Sequence, residues 1–292
     1  MFNLSPRVTL RDMLCRRMRA GGHALSQEAL CANALVFAPH PDDETLGCGG
    51  TVIRKIRAGA AVHLVVMTDG RGSHTHLMAP ETIRAIRARE VVAAGAALGL
   101  AATDITHLDF PDGDLDSART TAVARVVELL DQYRPAEVFI PYYREAPTDH
   151  HVTNAVVRDA LRHLQLAVTV YEYPIWYWQH WPWVRVPLRR KCNSKQLARA
   201  SVAAGFGART VQDFRCFVDI SDVLDCKRRA LAQHRSQTTR LVPDPSWAIL
   251  GEVSDGEWLE RFFQTYEVFY RYRWHGMHAV PVSDTGEEMS TP

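Results

Sequence analysis

The segment Ala34-Leu35-Val36-Phe37-Ala38-Pro39-His40-Pro41-Asp42-Asp43-Glu44-Thr45-Leu46-Gly47-Cys48-Gly49-Gly50 passes from an apolar run straight into a histidine, three carboxylates and a cluster of glycines. The apolar run reads as a buried parallel strand, and the glycines with Thr51-Val52-Ile53-Arg54-Lys55-Ile56 read as the start of a helix. A strand that delivers an imidazole and three carboxylates into a crevice is costly unless a cation or a proton transfer needs them. A second histidine from elsewhere would complete such a site, and Thr148-Asp149-His150-His151 supplies one.

Outward from this segment the same rhythm continues. Strands are expected at 34–38, 62–67, 107–110, 138–141 and 167–171, and helices at 49–58, 81–98, 118–133 and 152–164. This alternation predicts an α/β fold: a Rossmann-like, mostly parallel sheet with helices on both faces. Ligands in such sheets sit beyond the carboxyl ends of strands, where His40–Glu44, Thr68–Arg71, Asp109–Asp114 and Tyr142–His151 all fall. Further on, a helix is expected over 194–204, a strand over 214–220, a helix over 221–235 capped by Ser221, and a last helix over 256–270.

Residues 1–33 form an N-terminal extension with a basic helix over 8–19, suited to surface packing or a homo-oligomer contact. It is short for attachment to an anionic membrane. Residues 174–215 change character: Pro174–Trp183 holds four of the seven tryptophans, and Arg185–Lys191 is a basic, proline-broken loop. This Trp-rich stretch reads as a cap across the open edge of the sheet, and aromatic platforms also bind sugars and acyl chains. The polar tail over 276–292 is expected to be disordered.

The chain has 292 residues, 47% hydrophobic and 23% charged, with a formal charge of +1. That suits one large α/β domain with appendages and gives no electrostatic case for nucleic acid. No apolar stretch reaches the ~18 residues of a spanning helix, and arginines interrupt the N-terminus where a secretory core would lie. Six scattered cysteines without a CxxC pair read as reduced thiols, so a cytoplasmic location is expected.

A catalytic zinc site takes three protein ligands and leaves a position open. His40 and Asp43, three residues apart in a tight turn, reach one cation while Asp42 points elsewhere as a free carboxylate, the arrangement a general base requires. His150 is the third ligand expected for Zn2+. His151 is its rival, since adjacent residues at a helix start point about 100° apart and one of them faces the metal. Cys48 reads as a small buried filler of the turn rather than a ligand.

The stretch His40–Gly50 resembles the signature of the zinc-dependent PIG-L/LmbE-like de-N-acetylases, which act on N-acetylglucosaminyl groups. Further matches are Thr68-Asp69-Gly70, Arg87-x-x-Glu90, Leu98-Gly99, Phe110-Pro111-Asp112-Gly113-x-Leu115, Asp149-His150-x-x-Thr153 and Lys227-x-x-Ala230-Leu231-x-x-His234-x-Ser236-Gln237. The resemblance spans about residues 34–240 and implies a deacetylase domain extending over 34–275. It implies His40, Asp43 and His150 as zinc ligands, Asp42 as general base, and Arg87 and Asp112 as contacts to sugar hydroxyls. From the residues alone, Arg87 would pair with Glu90 on a helix surface and Asp112 would be a turn residue. Many members carry a histidine at the position of Pro147 that helps stabilise the oxyanion; here His234 is the candidate replacement and His151 the second.

The resulting expectation is hydrolysis of an N-acetyl group on a small-molecule or lipid-linked N-acetylglucosamine conjugate. Three other readings compete with it. One is amide cleavage in another N-acyl or thiol conjugate, and another is a non-catalytic, metal-containing carbohydrate-binding protein. A nucleotide-dependent oxidoreductase fails because Gly47-Cys48-Gly49-Gly50 lacks the GxGxxG spacing.

Overall fold

Alternation of side chains along buried strands requires two apolar faces, and the computed structural model, which describes residues 5–186, 194–276 and 278–281, has both. In chain order the elements are α1 (Pro6–Ala20), β1 (His23–Ala24), α2 (Gln27–Cys31), β2 (Ala34–Ala38), α3 (Asp43–Arg57), β3 (Val62–Thr68), α4 (Pro80–Leu98) and β4 (Ile105–Phe110). Then follow α5 (Arg119–Tyr133), β5 (Glu137–Pro141), α6 (Thr148–Leu164), β6 (Val168–Tyr173), α7 (Ser194–Ala203) and α8 (Ala208–Asp213). The remainder is β7 (Cys216–Asp219), α9 (Leu224–Leu231), α10 (Arg235–Thr238), β8 (Tyr266–His275) and β9 (His278–Pro281).

Strands β4, β3, β2, β5 and β6 lie side by side and parallel. β2 therefore sits between β3, which follows it in the chain, and β5, which arrives later. The strand order reverses there, so loops leaving β2 and β5 diverge to opposite faces and open a crevice between them. On β2, Leu35 and Phe37 join Val65, Met67, Val138 and Ile140 beneath α5 and α6, while Val36 and Ala38 join Leu64, Val66 and Phe139 on the opposite face. Burial on both faces explains the unbroken apolar run. Each fully buried Val, Leu or Phe contributes about 1.5–3 kcal/mol.

Three expectations are corrected beyond this core. The helix after β2 begins at Asp43, well before Gly49, and is kinked at Cys48, whose φ is −144°. At the kink, Glu267 of β8 accepts from the Gly50 and Thr51 N–H groups, each at 2.8 Å, and Lys227 Nζ bridges Glu267 at 2.7 Å and the Leu46 carbonyl at 2.8 Å. Ser221 does not cap a helix; its N–H and hydroxyl both donate to Asp219, and α9 starts at Leu224.

The helix expected over 256–270 shrinks to a short 3-10 helix, Leu259–Phe263. Ser254, Asp255 and Gly256 take left-handed φ of 52°, 56° and 87°, which breaks the path at the start of the expected helix. The aromatic and β-branched run that follows forms β8, antiparallel to both β6 and β7. β9 pairs with β8, so the expected disordered tail begins with a strand, and residues 282–292 lie outside the described region. Part of the basic loop over 185–191 lies outside it as well, as does Cys192.

The N-terminal helix α1 buries Leu14 and Met18, Arg7 pairs with Glu257, and Arg19 lies 4.9 Å over the Tyr266 ring. Its basic face is thus partly spent inside the molecule. No helix among the described residues is long and apolar enough to cross a membrane.

Candidate active site

The turn after β2 and the start of α6 after β5 meet at the crevice. His40 Nδ1 lies 3.2 Å from Asp43 Oδ2, and His150 Nε2 lies 3.2 Å from the same oxygen. The two imidazole centroids are 5.2 Å apart. His151, by contrast, is exposed and turns its Nδ1 to the Tyr143 carbonyl at 3.2 Å. Helix α6 starts at Thr148, earlier than expected, so His150 sits in its first turn and points inward.

A tetrahedral zinc site with bonds of about 2.0–2.1 Å separates its donors by about 3.3 Å. The spacings around Asp43 Oδ2 match that value, and the donor set of two imidazoles and one carboxylate is of the kind zinc takes. Both His150 ring nitrogens are buried without a hydrogen-bond partner, an expensive state that a cation would relieve. The residues therefore fit a divalent metal.

Behind His40, Nε2 faces Asp112 Oδ1 at 3.1 Å and Asp149 Oδ2 at 3.3 Å. These carboxylates are themselves held: Asp149 accepts from the Gly113 and Leu115 N–H groups at 2.7 and 3.2 Å, and Asp112 accepts from Gly72 N–H at 2.8 Å. His40, Asp112 and Asp149 form a second converging group, but its carboxylates are committed to backbone donors and serve to orient the imidazole. Burial opposes a charged His40, yet Asp112, Asp149 and Asp43 outweigh it and hold its pKa well above the ordinary value. Asp112 is a turn residue and a partner of His40 at once; burial opposes its charge, but His40 and its other partners bring its pKa down to about 2.

Asp42 occupies a backbone conformation with φ of 137°, unusual for a residue with a Cβ. The turn is over-determined by its neighbours. Asp42 N–H donates to Glu44 Oε2 at 3.0 Å, and Arg87 donates to the Pro41 carbonyl at 2.6 Å and the Gly70 carbonyl at 3.1 Å. Arg87 Nη2 also lies 3.4 Å from Asp42 Oδ2. Burial pushes the Asp42 carboxyl up to about 7 despite that guanidinium, with Asp43 and Glu44 adding like charge.

Two expected site residues lie beneath the turn. Arg87 is 4% exposed and packs under the turn, where its guanidinium faces Asp42. It does not pair with Glu90, whose carboxylate accepts from Ser236 N–H at 2.8 Å and Ser236 Oγ at 2.7 Å. His234 is fully buried with Nε2 2.9 Å from Glu44 Oε1, beneath the turn instead of at an open reaction centre. Cys48 is buried, its thiol donating to the Glu44 carbonyl at 3.5 Å, and it belongs to neither ligand group.

Sequence reasoning missed Glu145. Its buried carboxylate accepts from the Ile175 and Trp176 N–H groups, both at 2.7 Å, and shares the Tyr177 N–H between its oxygens at 3.2 and 3.3 Å. Burial raises its pKa to about 7. It thereby pins the start of the Trp-rich cap to the loop before α6. Beside that loop lies a cavity of about 480 Å³ lined by Arg144, Pro147, Trp176, Tyr177 and the Leu197 face of α7.

Residues 35–161 match the family model described as PIG-L, GlcNAc-PI de-N-acetylase. The chain is 27% identical over 250 residues to a probable N-acetyl-alpha-D-glucosaminyl L-malate deacetylase 2 of Bacillus cereus, covering 83% of this chain and 98% of that protein. It is 25% identical over 228 residues to diacetylchitobiose deacetylase of Thermococcus kodakarensis, covering 74% and 72%. Among solved structures, N,N'-diacetylchitobiose deacetylase from Pyrococcus horikoshii aligns with a TM-score of 0.59 at 20% identity, over 93% of this chain and 94% of that one. The 4-carboxy-2-hydroxymuconate hydratase from Pseudomonas putida KT2440 aligns at 0.56 with 15% identity, over 82% and 95%. At such identities the structural likeness speaks for the fold, and a fold hosts more than one chemistry.

Proposed function

The chain carries a PIG-L (LmbE-like) deacetylase-family domain, and from that premise we propose a zinc-dependent hydrolase that removes the N-acetyl group of an N-acetylglucosamine conjugate. The observation that carries the reading is the convergence of His40, Asp43 and His150 with the carboxylate of Asp42, which belongs to neither ligand group, next to Asp43 in the turn. Those three residues would hold Zn2+, which when bound supplies Lewis-acid polarisation of the acetyl carbonyl and acidifies water.

Asp42 accepts a proton from the attacking water. Its pKa of about 7 suits both that step and the return of the proton to the departing amine. Water adds to the carbonyl carbon, the C–N bond breaks, and acetate and a free amino sugar leave. Arg87 keeps Asp42 aimed and charged. Asp112, with 13% of its side chain exposed, would meet a sugar hydroxyl with the lone pairs that His40 and Gly72 leave free. The cavity beside Trp176 and Tyr177 suits an extended, partly apolar aglycone, soluble or lipid-linked.

The test is acetate release by zinc-loaded protein from a panel of N-acetylglucosamine conjugates. Asp42→Ala should abolish release and leave bound zinc unchanged. Full activity in that variant would overturn the base assignment, and no release from any member by the wild type would overturn the reaction.

A further inference from the structure

We infer that Glu145 is a positioning residue for the metal site, holding His150 from behind and joining it to the strap Ile175–Tyr177. The inference rests on the reading of His40, Asp43 and His150 as metal ligands. His40 sets the pattern. One of its ring nitrogens faces Asp43 at 3.2 Å, and the other is backed by Asp112 and Asp149 at 3.1 and 3.3 Å. His150 presents Nε2 to the same Asp43 oxygen at 3.2 Å, so a metal held there would serve Nε2 and leave Nδ1 in need of an acceptor.

Nδ1 is buried, and Glu145 Oε2 faces it at 3.9 Å. That gap is about 1 Å longer than a hydrogen bond. A tilt of the imidazole closes it, because the ring has no hydrogen bond on that side to lose, whereas the carboxylate is fixed by three backbone N–H groups. A carboxylate offers about four acceptor sites. The Tyr177 N–H is shared between the two oxygens, so an Nδ1–H would take its place at Oε2 and leave it on Oε1. A carboxylate behind a ligating imidazole fixes its tautomer, orients the ring and raises its basicity. Glu145 does this from the loop before α6 while accepting from the first N–H groups of the cap, so one side chain ties the metal ligand to the Trp-rich wall.

The test is zinc titration of the full chain against a chromophoric chelator, with the visible spectrum of the Co2+-loaded protein as a second readout. Glu145→Gln should weaken zinc binding by about 10–100-fold and shift the Co2+ spectrum. Glu137→Gln, which breaks the buried pair with Lys55 at the opposite end of β5, should leave zinc affinity near wild type. Wild-type affinity and spectrum in Glu145→Gln, or an equal loss in Glu137→Gln, would overturn the inference while His150→Ala still loses the metal. If His150→Ala binds zinc as tightly as wild type, the metal-ligand reading itself fails and this inference falls with it. Should Glu145→Gln not fold, a 15N histidine spectrum of the zinc-loaded wild type decides: a protonated His150 Nδ1 supports the role, and a bare Nδ1 overturns it.

Discussion

Replacing Arg87 by Met removes the cation beside a buried carboxylate while keeping most of the aliphatic volume. Three contacts go with it: the Pro41 carbonyl at 2.6 Å, the Gly70 carbonyl at 3.1 Å and the Asp42 carboxylate at 3.4 Å. Breaking one side of a buried ion pair costs about 3–5 kcal/mol, a large part of a typical stability of about 5–15 kcal/mol. Equilibrium urea unfolding should show that loss. Much of it is the uncompensated charge on Asp42, so Asp42→Asn placed in the Arg87→Met background should restore stability, giving a coupling of about 1–3 kcal/mol in a double-mutant cycle. Arg87→Lys should fall between, because one ammonium cannot span both carbonyls and the carboxylate. The guanidinium also pulls the Asp42 pKa down, so the acid limb of the pH–rate profile should move to higher pH in Arg87→Met. Additive single substitutions, within about 0.3–0.5 kcal/mol, would refute the assignment of Arg87 to Asp42.

Removing metal with a strong chelator should abolish acetate release. It should also lower stability by the linkage term, about 2.7 kcal/mol at a free metal concentration a hundredfold above Kd, with both restored by zinc. Burial lowers the His180 pKa from 6.5 to about 4, so the fold favours the neutral ring. That contribution is whole above about pH 6.5 and is lost as pH falls toward 4; between pH 7 and 4.5 the wild type should lose about 2–3 kcal/mol more unfolding free energy than His180→Gln. In Gly47→Ala the new Cβ would lie 2.2 Å from the Tyr173 ring, which is anchored through its hydroxyl to the Phe37 carbonyl at 2.6 Å. Thermal unfolding should report a cost of about 1–3 kcal/mol there, whereas Gly251→Ala, with open space around it, should change little.

The central strands were legible because burial on both faces forces continuous apolar runs, and β2 occupies the very residues its run marks, 34–38. The metal-ligand candidates were legible because carboxylates at the end of such a strand need a reason to be there. What escaped notice depends on distant partners. The run Tyr266–His275 follows a stretch with helical character, and it becomes a strand because β6 and β7 offer it open edges on both sides. Arg87 looks like a surface helix residue until the fold lays the Gly70 turn and the Pro41 carbonyl across it. Glu145 has no local signal at all, since its partners lie some thirty positions onward at 175–177.

Proline at 147 costs nothing locally, because it stands at the start of α6 where its missing N–H has no helical partner to lose. The chemical consequence is larger, since the position offers no imidazole to a developing oxyanion. His151 cannot take over, for it faces outward to the Tyr143 carbonyl. His234 lies on the protein side of the turn. Burial alone would keep it neutral, but Glu44 and Asp42 outweigh that and raise its pKa. Its positive charge in turn lowers the cost of a deprotonated Asp42, and Glu44, its partner, also accepts the Asp42 N–H at 3.0 Å. The His234–Glu44 pair therefore acts on Asp42: it holds the Asp42 backbone in its left-handed conformation and favours the charged carboxylate.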